Sequence, residues 1–231
     1  MLSVEIKKLS KTYNDGAVSV LALHEVSLEI EEGAFLSLHG PSGSGKTTLL
    51  NLIGGLDRPT SGEISVAGKR IDRMSNSDLA KMRLEHMGFI FQSYNLIPVL
   101  SAQENVEFVM QLQGVPAKER SDRARVVLDE VGLADMYTRR PGELSGGQQQ
   151  RVAVARAIVS SPAIVLADEP TANLDSKTAT NLLEIMLRMN KDHGITFIFS
   201  THDKLVMDYA ERLIGLRDGE IVSDELRPAS R

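Results

Sequence analysis

Short apolar runs of strand length alternate along the chain with stretches in which apolar positions recur every three or four residues. That alternation is the pattern of an α/β layered domain. Val4–Leu9 and Leu21–Ile30 read as strands on either side of the turn-prone Asn14-Asp15-Gly16. Ala34–His39 predicts a third strand that runs straight into a glycine-rich loop, with a helix following from about Gly45 to Gly54. Glu63–Val66 and Met87–Phe91 read as further strands. From about Gln92 to Ser160 helices dominate; over Ser121–Val131 the positions Ala124, Val127, Leu128 and Val131 share one apolar face. Ala163–Ala167 returns to the buried-strand pattern, Ser176–Lys191 reads as a helix and Ile195–Phe199 as a strand. Leu213–Leu216 and Glu220–Val222 pair around Asp218-Gly219. One domain over 1–231 is expected, its core formed by 1–91 and 161–231 and a helical subdomain by about 92–160.

Composition narrows the partners. The chain has 231 residues, 42% of them apolar and 25% charged, an ordinary balance for a domain with a real core. A formal net charge of -5 argues against a nucleic-acid partner held by phosphate neutralisation. With no cysteine there is neither disulfide nor thiolate metal site, which fits a reducing compartment. No stretch approaches the roughly 18–20 apolar residues of a membrane-spanning helix. The opening MLSVEIKKLS lacks the long apolar core of a secretory signal. A soluble protein is expected, reaching any membrane through a partner.

Three motifs carry chemistry. Gly40-Pro41-Ser42-Gly43-Ser44-Gly45-Lys46-Thr47 is a complete G-x-x-x-x-G-K-[ST] phosphate loop. Its glycines let the backbone aim N–H groups at phosphate oxygens, and the helix behind it favours anions. Lys46 can reach the β- and γ-phosphates, and the Thr47 hydroxyl suits Mg²⁺. A chance glycine-rich turn is the ordinary alternative, against which its place between strand and helix counts. Ile164–Ala167 then ends in Asp168-Glu169, carboxylates at the end of a strand, where α/β proteins bind ligands. Asp168 suits the Mg²⁺ shell, directly or through water, and Glu169 suits the general base that polarises attacking water. Without the phosphate loop upstream, a solvated acidic turn would be the better account of that pair. Leu144-Ser145-Gly146-Gly147-Gln148 offers a hydroxyl and free N–H groups at the start of a further helix, a second anion site for which helix N-capping by Ser145 is the plainer account.

That last string, continued by Gln149-Gln150-Arg151, resembles the signature sequence of the ABC ATPase family, and the other landmarks fall in the family's order. The implied fold is α/β, a P-loop NTPase of ABC type with a mainly parallel core sheet, an antiparallel β subdomain and a helical insert. By the same resemblance Tyr13 is the aromatic that stacks on adenine. Gly40, Pro41, Ser42, Gly43, Ser44, Gly45, Lys46, Thr47 and Thr48 hold the phosphates. Gln92 senses Mg²⁺ and the membrane partner. Thr47, Gln92 and Asp168 form the Mg²⁺ set, and Glu169, His202 and Lys46 the catalytic set. Ser145, Gly146, Gly147, Gln148 and Asp175 act on the ATP held by a second copy packed head to tail. ATP and Mg²⁺ are the implied cofactors. His39, polar before the first glycine, departs from the pattern and has no functional reading.

Leu49–Gly62, Gly88–Pro98 and Leu144–Arg151 further resemble ATPases paired with lipoprotein-releasing and macrolide-efflux-type permeases. The implied function is export or membrane extraction of lipoproteins, peptides or drugs. The implied partners are an integral membrane permease and a periplasmic adaptor, with the chain peripheral on the cytoplasmic face. A regulatory ATPase of the cell-division type, acting through a permease without transport, is the alternative. A soluble ABC protein of DNA repair or translation fits worse, since those carry two cassettes or long insertions. The apolar cluster Tyr94, Leu96, Ile97, Val99 and Leu100, just before a helix capped by Ser101, is expected to be a surface loop that docks a permease helix. Its alternative is burial in the core of the insert.

Overall fold

The computed structural model describes residues 1–16 and 18–227. β1 (Leu2–Asp15) and β2 (Val18–Glu31) form a long antiparallel hairpin. Gly16, at φ 58°, occupies the expected turn, and Ala17 lies outside the described residues. Both strands outrun the expected bounds: β1 continues through the mostly polar Ser10–Asp15, and β2 begins three residues earlier, at Val18. With β4 (Ser61–Val66) and β5 (Lys69–Arg70) they make a four-stranded sheet in the order β2-β1-β4-β5.

The second sheet is built from β3 (Phe35–His39), β6 (Met87–Phe91), β7 (Ile164–Asp168), β8 (Thr196–Thr201), β9 (Arg212–Arg217) and β10 (Glu220–Leu226), in the order β10-β9-β3-β8-β7-β6. β9, β3, β8, β7 and β6 run parallel; β10 returns antiparallel on the edge. The helices are α1 (Lys46–Ile53), α2 (Asn76–His86), α3 (Ala102–Leu112), α4 (Ala117–Glu130), α5 (Gly146–Ile158), α6 (Ser176–His193) and α7 (Lys204–Tyr209).

The parallel strands are apolar on both faces, as covered strands must be. Phe35, Val165, Ala167, Phe197 and Phe199 face the cluster shared with α3 to α7, and the Phe35 and Phe199 rings lie 4.7 Å apart. Leu36, Leu38, Ile164, Leu166 and Ile198 face the cluster shared with α1, α2 and the antiparallel sheet. The insert is therefore continuous with one face of the main sheet and shares its core.

Three elements escaped the apolar pattern. Of α2 only Leu79 and Met82 are buried, too thin a stripe for periodicity, although Ser75 accepts the Asp78 N–H as its N-cap. α7 has six residues behind an Asp203 cap, and β5 has two. The segment after Gln92 is an irregular loop, as expected, with Tyr94, Leu96, Ile97 and Leu100 half-buried and Val99 72% exposed; Leu96 packs against the core of the insert. Buried Asn105 clamps the segment: its Oδ1 accepts the Ile97 N–H at 2.7 Å, and its Nδ2 donates to the carbonyls of Ile97, Leu100 and Ser101 at 3.2, 3.1 and 2.9 Å. Ser101 caps α3 through a capping box with Glu104, as its position implied.

Asp72 ties the β4–β5 turn together, accepting Arg70 Nε at 2.9 Å, Arg70 Nη2 at 2.8 Å and the Ile64 N–H at 3.0 Å. The Arg70 hydrogen bonds hold its carboxyl at about 2, against burial, which pushes the other way. A carboxylate depressed below its unfolded value, near 3.9, contributes stability that is complete above that value and lost as pH falls to about 2. Asp72→Asn is expected to flatten this acid limb of the urea midpoint plotted against pH. An acid limb as steep as that of the unaltered chain rules the assignment out.

Candidate functional site

The in-register parallel sheet sets the site. Phe91, Asp168 and Ser200 stand in one row across β6, β7 and β8, and His39 of β3 pairs with Thr201. The residues that follow, Gln92, Glu169, His202 and Gly40, therefore emerge along one carboxyl edge, where open α/β sheets bind ligands.

The loop after β3 needs glycine for close backbone approach. A Cβ on Gly40 would lie 2.1 Å from the Leu216 carbonyl oxygen, and one on Gly45 2.7 Å from that of Ala22. Gly45, at φ 101°, caps α1 without any side-chain hydrogen bond, and the first turn carries no acid. By contrast α2, α3, α5, α6 and α7 are each capped by a Ser or Asp side chain. The first-turn N–H groups of α1 are thus left to an anion. Lys46 is nearly buried, its Nζ donating to the carbonyls of Gly40 and Pro41 at 2.9 Å each, so the ammonium is held above the loop.

Across the edge, the Thr47 hydroxyl donates to Asp168 Oδ1 at 3.3 Å. Glu169 adopts φ 46°, a left-handed turn held by its N–H on the Ser200 carbonyl at 2.9 Å. That turn aims its carboxylate at the end of β8. Its Oε1 lies 2.6 Å from His202 Nδ1, and its Oε2 accepts the Thr201 hydroxyl at 2.9 Å. Thr201 in turn accepts the Asp203 N–H at 3.0 Å, and Asp203 accepts the Thr171 hydroxyl at 2.8 Å. Lys46, Thr47, Asp168, Glu169 and His202 thus share one edge, the Thr47–Asp168 and Glu169–His202 contacts linking them in pairs. Thr201 was not singled out from sequence. It follows the strand's apolar run and precedes the histidine, with nothing to mark it until β7 and β8 are paired.

Among the described residues no group of three or more His, Cys, Asp or Glu could hold a metal ion. Thr47 and Asp168 supply a pair of oxygens, a fit for Mg²⁺, which keeps waters and draws its other ligands from phosphates.

Tyr13 lies to the side, 40% exposed, its hydroxyl on Asp57 Oδ2 at 2.9 Å and the Lys11 ammonium 4.7 Å from the ring centroid. Burial, ahead of the hydrogen bonds at its hydroxyl, pushes the Tyr13 phenol above its ordinary value. Burial works against the Asp57 carboxylate too, but Lys11, the Arg58 N–H and Tyr13 together hold it below its ordinary value.

Ser145 caps α5 in a capping box with Gln148: the Gln148 N–H donates to Ser145 Oγ at 3.3 Å, and Gln148 Oε1 accepts the Ser145 N–H at 2.8 Å. The same helix reaches the turn after Glu169 through Gln150, whose Nε2 donates to the Pro170 carbonyl at 2.7 Å. Asp175 caps α6, accepting the N–H groups of Lys177 and Thr178 at 3.1 and 3.0 Å. The Thr178 hydroxyl, ahead of these N–H groups, lowers the Asp175 carboxyl below its ordinary value. Gln92 is joined to the same turn through its carbonyl, which accepts Asn173 Nδ2 at 3.0 Å.

The ABC transporter family model matches residues 23–172. The chain belongs to the ABC transporter ATP-binding family. A Thermotoga maritima protein described as an uncharacterized ABC transporter ATP-binding protein is 47% identical over 224 residues, covering 97% of this chain and 95% of that one. The macrolide export ATP-binding/permease protein MacB of Rhodopseudomonas palustris is 45% identical over 97% of this chain, which spans 34% of MacB. The dimeric ABC cassette MJ0796, bound to ADP and Pi in a post-hydrolysis state, superposes with TM-score 0.90 at 42% identity over 97% of this chain and 99% of that one. Members of this family bind nucleotide, and the related MJ0796 cassette is dimeric in its structure.

Because Thr201 fixes Glu169 from below, Thr201→Val frees one carboxylate oxygen and leaves the phosphate loop untouched. kcat for ATP is expected to fall by about 10-fold to 100-fold, with nucleotide affinity unchanged. A normal kcat, or a loss confined to KM, contradicts the positioning of Glu169 by this hydroxyl.

Proposed function

We propose that this chain is the ATP-hydrolysing motor of a transporter that exports or extracts lipoproteins, peptides or drugs, two copies closing on Mg-ATP to drive a separate permease. The observation that carries the reading is the edge on which Thr47 meets Asp168 beside a Glu169 held by both Thr201 and His202. The triphosphate takes the N–H groups of residues 40–48, and the Lys46 ammonium exchanges two loop carbonyls for phosphate oxygens. Adenine rests on Tyr13. Thr47, Asp168 and Gln92 are the residues that would hold Mg²⁺, which supplies neutralising charge to the phosphates. Glu169 takes the proton of the attacking water, and His202, bonded to that carboxylate, faces the γ-phosphate.

Ser145, Gly146, Gly147, Gln148 and Asp175 complete the site of the second copy, so that ATP is part of the dimer interface and its cleavage separates the pair. Glu169→Gln is expected to cut kcat at least about 100-fold and to hold an ATP-dependent dimer on size-exclusion chromatography. A Lys46→Ala chain mixed with a Ser145→Arg chain retains one whole site per pair, and ATP-dependent pairing is expected to return in the mixture. A Ser145→Arg chain that alone cannot bind ATP places the motif in cis and defeats the composite site.

Among the described residues no helix is long and apolar enough to cross a membrane. In the proposed assembly the permease makes the membrane step, and this chain meets it on the cytoplasmic face. The export branch is supported by the likeness to MacB, and a periplasmic adaptor completes the proposed assembly. For the permease we assign the groove beside the loop at Leu96, to whose wall Asn95 of that loop contributes. A cavity of about 610 Å³ between α2, β6, α3 and α5 is lined by Leu56, Leu84, Phe89, Phe91, Val109 and Leu112. It fits the apolar face of an amphipathic helix. Leu112 is 59% exposed, so Leu112→Asp is expected to fold and hydrolyse ATP alone while losing co-purification with the permease. Unchanged co-purification rejects the groove.

A further inference from the structure

Gly146 and Gly147 open α5, yet neither has the left-handed backbone that requires glycine. Alanine is the better helix former, so backbone conformation does not account for two glycines here. Their neighbours do. A Cβ on Gly146 would lie 2.9 Å from the hydroxyl oxygen of Tyr94, and one on Gly147 would lie 2.4 Å from Cγ2 of Thr178. Both distances are closer than real Cβ atoms tolerate without displacement of the neighbour.

Each neighbour is itself held. Tyr94 and Asn95 are left-handed, at φ 60° and 49°, and α5 grips them from its far end: Arg156 Nη2 donates to the Tyr94 carbonyl at 2.9 Å and Nη1 to that of Asn95 at 2.6 Å. Thr178 donates its hydroxyl to Asp175 Oδ2 at 2.6 Å, so the methyl group that meets Gly147 has little freedom to turn away. Asn173, two residues before Asp175, donates to the Gln92 carbonyl at 3.0 Å and closes the loop of contacts. Residues 92–95, 145–147 and 173–178 thus touch in a ring, with both glycines at its tight points.

We propose that Gly146 and Gly147 act within their own chain as seats, one for the Tyr94 hydroxyl and one for the Thr178 methyl group, so that the segment after Gln92, the start of α5 and the Asp175 turn move as one block. Tyr94 and Thr178 are then positioning residues. A shift at Gln92 is delivered to Ser145 and Asp175 together, the two places where a second copy is met. This rests on the composite-site reading above and adds a reason for the glycines that is independent of phosphate contact.

Two double-substitution cycles test it in the Glu169→Gln chain, with the ATP-dependent monomer–dimer constant measured by sedimentation. Gly147→Ala and Gly146→Ala are each expected to weaken pairing about 10-fold, equivalent to about 1.4 kcal/mol. ATP affinity of the separate chains is expected to stay unchanged, since the phosphate loop is untouched. Thr178→Ser deletes the obstructing methyl and keeps the hydroxyl on Asp175; Tyr94→Phe deletes the obstructing oxygen. Gly147→Ala/Thr178→Ser and Gly146→Ala/Tyr94→Phe are therefore expected to pair within about threefold of the parent. The double variants decide the matter even where a single alanine variant fails to fold. Folded double variants, matched to the parent in Tm, that still fail to pair assign the glycines to the partner's phosphate alone and overturn the proposal. Alanine variants that pair like the parent overturn it as well. A Glu169→Gln parent that never pairs with ATP overturns the composite site itself, a separate result visible before any glycine is changed.

Discussion

The constraint on which the rest depends is the register of the five parallel strands. Because Phe91, Asp168 and Ser200 are paired row by row, and His39 is paired with Thr201, four loops leave the sheet at one height. Any slip by one residue would turn the apolar faces over and also carry Asp168 away from Thr47. Phe35, Phe197 and Phe199 on one side and Leu36, Leu38 and Ile198 on the other make such a slip costly, since every strand is buried on both faces. The hydrophobic core therefore does more than stabilise: it sets the spacing of the charged groups.

Upon that frame the site is built from groups that need holding. Glu169 sits in a left-handed turn, a conformation that side chains adopt at some cost in strain. The Ser200 carbonyl, the Thr201 hydroxyl and His202 fix it there. Lys46 is turned over its own loop, and α1 leaves its first N–H groups without a side-chain cap, alone among the helices that contribute residues to the site. The uncapped N–H groups of α1 are the part of this arrangement that an anion would satisfy.

The insert is joined to this edge in two ways of different stiffness. Its apolar residues share one core with the main sheet, a broad contact that resists separation. Its signature end is joined by single contacts, Gln150 to Pro170, Gly147 to Thr178 and Tyr94 beside Gly146. Arg156 ties the same helix to the Tyr94 and Asn95 carbonyls, its guanidinium lowered in pKa by burial alone. The segment after Gln92 thus touches α5 near both of its ends.

From the residues alone, the alternation of apolar runs and helical stripes determined the α/β class and placed nine strands and three helices close to where they stand. The phosphate loop, Asp168, Glu169 and the signature string were legible because their chemistry is local: glycines before a lysine, acids closing an apolar run, a serine capping a helix. Elements with little buried surface, α2, α7 and β5, left no periodic trace. How far the loop at Leu96 turns inward was not legible, because an apolar run near a proline has the same appearance whether it faces water or core. Only the fold showed Asn105 clamping it from beneath. Likewise Thr201 under Glu169, Thr178 against Gly147 and Tyr94 against Gly146 join residues distant in sequence. Such contacts are set by how strands and helices pack, and pairwise distances of that kind have no counterpart in local pattern.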